Sequence, residues 1–386
     1  MRAAVAIVGG GVMGASVAYH LAARGQPDVL ILDRSSGPGQ GSTGRATGGY
    51  RAQYATAMNV RLSLLARSKL LAFAEDTGVE PGYLPAGYLW LAVSERELAS
   101  LREGTEVQRA AGLDEAVEVG RSDIARLNPA VRLDGIVGGT FCPTDGFIRP
   151  LQLLEGYLGA AARGGVRVRW DVEVTAVERG SDGRIRRLVT SAGPIEVEAV
   201  VNAAGPWAAG VAALAGVELP VTPLRRQIVP TAPTDVLPAG MPMTIWAGDG
   251  FHLRVRDGRV LLLWPSPGEP GRPFDTRVDP SWIDAVTAMA HQRVPALRHV
   301  AVDRAGAWGG LYEMSPDKHA ILGAAPGCAN LYCINGSSGH GVMHAPALGH
   351  LLAEIICDGA ASTLDVSCLS PSRFEAGRLN PVSGLL

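Results

Sequence analysis

Lysine is almost absent from this chain of 386 residues: only Lys69 and Lys318 occur, so nearly every positive charge is an arginine. That removes lysine from most catalytic roles. Charge of either sign is also scarce, at 19% of residues with a net charge of -2. Without a basic tract there is no electrostatic footprint for nucleic acid or for a membrane surface. The five cysteines are scattered and odd in number. Cys328 and Cys333 are close, but no second pair completes a zinc spacing, and free thiols in a reducing cytoplasm are the expectation. No long hydrophobic run is present. The apolar start from Ala3 is interrupted by glycine at once, which fits neither a signal peptide nor a membrane span. Length and hydrophobic content point to a soluble protein with room for two domains.

What the chain does have is glycine, 49 residues of it, and the glycines cluster. AVAIVGGG reads as a buried parallel strand that ends in Gly9-x-Gly11-x-x-Gly14. GASVAYHLAARG follows with Val17, Leu21 and Ala22 at helical spacing, and Gly25 fits the helix stop. A second strand, VLILD, ends on Asp33, about twenty residues past the first glycines. Strand, glycine turn, helix, strand and terminal acid together form the dinucleotide-binding context. The helix N-terminus faces pyrophosphate and the acid accepts a ribose hydroxyl. At this point FAD and NAD are equally open.

A second glycine cluster, GQGSTGRATGGYR at residues 39 to 51, has almost no side chain to bury. It is a linker, a series of turns, or backbone laid against a ligand. Beyond it the pattern predicts a helix over 58 to 75 and strands in PGYLPAGYLWLAV. Ser94-x-x-Glu97 forms a capping box, and a further helix is predicted over 149 to 163. VRVRWDVEVTAVERG alternates as a strand, and DGRIRRLVTSAGPIEVEAVVNAAG reads as a hairpin and a buried strand. Strands dominate 221 to 306, with one helix near DPSWIDAVTAMA. LYCING and a glycine turn then lead into the helix APALGHLLAEIICDG. The expected fold is α/β: a discontinuous Rossmann-like FAD-binding domain (1–80, 146–220 and 307–386) with a strand-rich α+β substrate domain (81–145 and 221–306) threaded through it.

Four motifs occur in this order, IVGGGVMG with Asp33, GSTGRATGGYR, VVNAAGPWA, and GGLYEMSPDKHAILG together with NGSSGHGVMHAPALG, with PLRRQIVP as a weaker fifth. They resemble the FAD-dependent amino acid oxidoreductases that include D-amino acid oxidase, glycine oxidase and sarcosine oxidase. The nearest flavour is the group of sarcosine oxidase and proline dehydrogenase beta subunits. The resemblance implies FAD rather than NAD, and the single fingerprint leaves no second site for a nicotinamide. It implies that Gly9, Gly11, Gly14 and Asp33, with Val12, Met13 and Arg34 beside them, hold the ADP half. Ser42 and Thr43 would meet the pyrophosphate, Val174 the adenine side, and Ala203, Gly205 and Trp207 the underside of the nucleotide. Arg45, Thr47, Gly48 and Gly49 would wrap the flavin, beside Gly310. Gly339, His340, Gly341, Val342 and Met343 would place a helix N-terminus on its pyrimidine edge.

Relatives that bind flavin covalently use a histidine at the position of Arg45 or a cysteine at that of Gly310. Neither nucleophile is present, so a non-covalent flavin is expected. Lysines of monomeric sarcosine oxidases correspond here to His252 and Met343, which disfavours fast oxygen use. Arg51 matches their carboxylate-binding arginine, and its guanidinium fork suits that task. Tyr312 stands where glycine oxidase and D-amino acid oxidase carry an arginine, which disfavours a primary D-amino acid substrate. The expected catalytic set is Arg51, His252 and Tyr312, acting on a secondary or tertiary amine such as sarcosine or proline, with no metal. His344 reads as packed in the C-terminal helix; Arg225 and Arg226 are within reach of the site, although a solvated pair is the commoner fate of adjacent arginines. The expected partners are a small amine and oxygen or another electron acceptor, with a homo-oligomer or a heteromeric partner subunit open. The alternatives are a flavin subunit working only inside a heteromeric amine dehydrogenase, an NAD-dependent dehydrogenase, and a glycine or D-amino acid oxidase.

Overall fold

The computed structural model describes residues 1–265 and 273–382. The chain runs β1 (Arg2–Val8), α1 (Val12–Ala23), β2 (Val29–Leu32), α2 (Ser42–Arg45), β3 (Gly49–Tyr50), α3 (Ala57–Thr77) and β4 (Tyr88–Ala92). Next come α4 (Glu95–Ala110), β5 (Val117–Val119), α5 (Arg121–Leu127), β6 (Gly138–Cys142), β7 (Gly146–Phe147) and α6 (Pro150–Arg163). β8 (Arg167–Arg169), β9 (Val174–Arg179), β10 (Ile185–Thr190), β11 (Ile195–Asn202), α7 (Ala208–Leu214) and β12 (Thr222–Pro230) follow. Then come β13 (Met243–Trp246), β14 (His252–Arg256), β15 (Arg259–Leu263), α8 (Pro280–Arg293) and β16 (Trp308–Met314). The chain closes with β17 (Ile321–Ala325), β18 (Cys328–Asn335), α9 (Gly341–Asp358) and α10 (Ser372–Glu375). Among the described residues, no helix is long and apolar enough to cross a membrane.

β1 lies inside the first sheet, whose main path is β17-β18-β11-β1-β2-β8. β1 pairs in parallel with both β11 and β2, and β18 joins β11 in parallel. Strands covered on both faces must be apolar throughout. Accordingly Val5 to Val8 and Val29 to Leu32 are all buried. One face packs on α1, α3, α6 and α9, the other on α7 and the β9–β10 hairpin. The stretch VRVRWDVEVTAVERG divides, because β8 joins β2 in parallel while β9 turns back onto β10.

The second sheet runs β16-β12-β15-β14-β13-β4-β6-β5 and is antiparallel except for β13 beside β4. Its outer core gathers Leu253, Leu262, Trp282 and Val286, with α8 laid across it. β16 pairs with β12 along its whole length, from Thr222–Met314 to Ile228–Trp308. Residues 308 to 314 therefore belong to this sheet, although a division at 307 had placed them with the nucleotide unit. The reason is non-local: only the partner strand 80 residues earlier decides where β16 hydrogen-bonds. We propose that the two sheets are the cores of two domains, with this one strand reassigned. The capping box at α4 is reshaped as well. Ser94 Oγ accepts from Glu97 N, but the Glu97 carboxylate reaches Val93 N.

Local chemistry sets the α1 entry. A Cβ on Gly14 would stand 2.0 Å from the Gly9 carbonyl oxygen and 3.1 Å from Ile7. The helix thus presses on the strand it leaves at a distance only glycine allows. Gly14→Ala is expected to destabilise the protein by about 1–3 kcal/mol through overpacking and to lower its bound flavin. Thermal unfolding and flavin absorbance per protein check this; an unchanged midpoint with full flavin content contradicts it.

Candidate functional site

A cavity of about 570 Å³ runs between the first sheet's C-terminal strand ends and the inner face of the second sheet. At one end lie Asp33, Arg34, Trp170, Glu173, Val174 and Trp207. At the other lie Arg51, Trp90, Arg226, His252, Tyr312 and His340. Every residue expected to hold cofactor or substrate lines this one cavity except Gly14. Gly14 is absent because its role is the helix–strand contact described above.

The donors fit a dinucleotide. α1 begins at Gly11 with no capping side chain of its own, and Thr43 Oγ1 instead accepts from Val12 N at 3.1 Å. α9 begins behind His340, again with no side-chain cap. Two helix N-termini therefore open on the same space, where backbone N–H groups and partial positive charge favour anionic atoms. Asp33 accepts from Gly10 N at 2.7 Å and Ser35 N at 2.8 Å, with carboxylate lone pairs left for a hydroxyl. At Gly205, held at φ 54, a Cβ would meet nothing within 4 Å, so the backbone lies bare to the cavity. Arg34 stacks on Trp207 at 4.4 Å and builds a flat wall there. These residues suit FAD: Asp33 for the ribose, the α1 head for pyrophosphate and the α9 head for the flavin's pyrimidine edge.

The glycine-rich loop behaves differently from a bare wrapping. Gly48 and Gly49 approach protein: a Cβ would stand 2.2 Å from Ile148 O and 2.0 Å from Tyr88 Oη. Their smallness draws the loop onto its own walls, and the loop then lines the cavity. The second sheet holds it there. Arg254 donates to Thr47 O at 2.8 Å and Gly48 O at 3.1 Å, and Arg256 to Ala46 O. Arg45 donates to Gly309 O at 2.8 Å and Ser42 Oγ to Leu311 O at 2.8 Å. Sequence reasoning missed Arg254, since nothing local marks an arginine that serves a loop two hundred residues earlier.

At the far end, Arg51 is 6% exposed and sits over the Tyr54 ring at 4.2 Å. It donates to Gln53 O at 3.2 Å and approaches His340 Nε2 at 3.3 Å. Beneath it, buried Asp145 accepts from Ala52 N and Gln53 Nε2, and burial pushes its carboxyl up to about 6. His252 Nδ1 faces Gly250 O at 2.8 Å, which leaves Nε2 as acceptor, and burial pushes its ring down to about 4. Burial also drives His340 well below the usual range. His344, expected to be packed, is buried against Ser63 Oγ at 2.8 Å and lowered to about 3 by burial.

Two further cavity residues escaped the sequence reading. Lys318 enters from a turn with φ 56, fixed by the buried Asp317–Arg373 pair at 2.8 and 2.9 Å. Glu313 lies near the α9 head, takes a long contact of 3.4 Å from Ser337 N, and its Oε2 finds no hydrogen-bond partner among the described residues. Burial pushes its carboxyl up to about 7. The expected solvated pair also separates. Arg225 reaches Arg277 O and Asp275 at the surface, while Arg226 turns into the cavity.

The sequence matches the family described as "FAD dependent oxidoreductase" (DAO) over residues 4–355. It is 29% identical to FAD-dependent oxidoreductase domain-containing protein 1 of Xenopus laevis, across 97% of this chain and 83% of that protein. It is 28% identical to glycine oxidase of Geobacillus kaustophilus, across 91% and 92%. The crystal structure of L-proline dehydrogenase from P. horikoshii superposes with a TM-score of 0.89 at 26% identity, covering 98% of this chain and 99% of that one.

Glu313 gives a pH test. Its folded value lies above that of an unfolded carboxyl, so the folded state binds the extra proton. Stability therefore falls as pH rises from the unfolded value, 4.5, toward about 7. Glu313→Gln is expected to raise stability by about 1–3 kcal/mol at about pH 8 and by much less at about pH 4. Thermal unfolding across that range checks it, and a pH-independent difference contradicts it.

Proposed function

Because the chain belongs to the DAO family of FAD-dependent oxidoreductases, we propose that it oxidises the C–N bond of a secondary or tertiary amino acid, such as an N-methyl amino acid or a proline-like ring. The observation that carries this reading is the buried Arg51 guanidinium on the same cavity wall as His252 and Tyr312. When bound, the flavin supplies the hydride acceptor, and the chain supplies orientation and charge. Arg51 anchors the substrate carboxylate, its plane set by Tyr54 and Trp90 at 4.2 and 5.2 Å. That fixes the distance of the amine from the α9 head. The cationic wall disfavours an ammonium, so the substrate binds as the free base. His252 stays neutral and offers Nε2 to a substrate N–H. Tyr312, on β16 and lining the cavity, stands where the resemblance puts an arginine for clamping a primary amino acid. Water then hydrolyses the imine product.

The flavin is proposed to be held without a covalent bond. Gly310 and Arg45 face each other, a Gly310 Cβ falling 3.3 Å from the Arg45 Cβ, and among the described residues no cysteine lines the cavity. Acid precipitation is expected to leave all flavin in the supernatant, whereas a yellow pellet contradicts this.

The main test is anaerobic bleaching of the flavin band by a panel of amines. Sarcosine, dimethylglycine and L-proline are expected to reduce the protein, glycine and D-alanine to fail, and air to restore the colour slowly. Bleaching by glycine and D-alanine alone sinks the reading. Arg51→Ala is expected to weaken the binding of every reducing amino acid by about 30-fold or more, the loss of about 2 kcal/mol for a buried charge partner. Unchanged affinity removes Arg51 as the anchor.

A further inference from the structure

β12 carries two adjacent arginines, and period-2 alternation sends them to opposite faces. Arg225 finds its partners outside: Arg277 O at 2.7 Å and Asp275 at 4.0 Å. Arg226 points into the cavity, stacked near the Tyr312 ring at 5.5 Å. Among the described residues its one polar contact is the Arg225 carbonyl at 3.5 Å, and no carboxylate there pairs with it. A guanidinium taken from water without an anion is costly.

The cavity carboxylates do not relieve it. Asp33 is engaged by Gly10 and Ser35, Glu173 faces Arg34 at 3.8 Å, and Glu313 sits by Ser337. The other cations are placed elsewhere. Arg45 is tied to Gly309 O, and Lys318 stands on the His340 side. Arg51, Arg226 and His252 line the same cavity, and both guanidiniums make a proton on the imidazole less favourable.

We propose that the substrate of this site carries a second acidic group, with Arg51 taking the α-carboxylate and Arg226 taking a side-chain carboxylate. This rests on the amine-oxidation reading above and narrows it to N-substituted amino diacids, with N-methylaspartate and N-methylglutamate as the simplest members. Arg226 acts here as a specificity residue. Its fork matches a carboxylate, and Tyr312 supplies the flat surface along which the substrate chain lies.

The test uses the holoenzyme and two kinds of titration. In the first, unreactive glutarate and butyrate perturb the flavin visible band without turnover. Glutarate is expected to bind about 10-fold more tightly or better, the effect of one added charged hydrogen-bonded pair. In Arg226→Gln the ratio of the two affinities is expected to fall to about one, with partial recovery in Arg226→Lys. In the second, N-methylglutamate and N-methylalanine bleach the flavin anaerobically, and the diacid is expected to be preferred in wild type only. Equal binding of glutarate and butyrate by the wild type overturns the proposal. So does an unchanged ratio in Arg226→Gln, including the case where FAD affinity falls and marks Arg226 as a cofactor contact. A glutarate preference without bleaching by any amine keeps the second carboxylate site and rejects the amine reading instead.

Discussion

The close contact between α1 and α9 is the constraint on which the site depends. Ser16 Oγ donates to Ala345 O at 2.7 Å, and a Cβ at Gly349 would lie 2.1 Å from Ser16 Oγ. At that separation the two helices cannot slide independently, so their N-termini open together on one cavity. Each N-terminus contributes backbone N–H groups and partial positive charge. A dinucleotide carries negative charge at its pyrophosphate and develops it at a reduced flavin. One pair of helices would thus meet both charges.

The second sheet performs the complementary task. Its arginines either hold protein or face ligand, and neighbouring residues decide which. Arg254 and Arg256 spend their donors on the backbone of the 46–48 loop and hold it against the cavity. Burial lowers Arg254 to about 10, which leaves it charged while it does so. Arg226 is left facing the interior, in the same cavity as Arg51 from the loop after β3 and as His252, which burial keeps neutral. The two sheets therefore line opposite parts of one cavity. That separation lets one fold serve many amines.

How much of this the sequence revealed follows from distance along the chain. The β1–α1–β2 unit with Asp33 was legible because its meaning is local: the glycines, helix and acid lie within about twenty residues. The α9 head was legible for the same reason. The inner face of the second sheet was not. Arg225 and Arg226 look alike in sequence, and only the pairing of β12 with β16 and β15 shows which one points inward. Lys318 and Glu313 lie in a quoted motif, yet their placement follows from a buried turn and an unpaired oxygen. Gly48 and Gly49, expected to wrap the flavin, line the cavity, but what their size accommodates is Ile148 and Tyr88.

The most direct test of the central claim is a crystal structure of the flavin-bound protein. The account predicts pyrophosphate oxygens on the amides at the start of α1, the adenine ribose on Asp33, and the pyrimidine edge of the flavin at residues 341 to 343. A dinucleotide running the other way, or a flavin ring far from the head of α9, would contradict it.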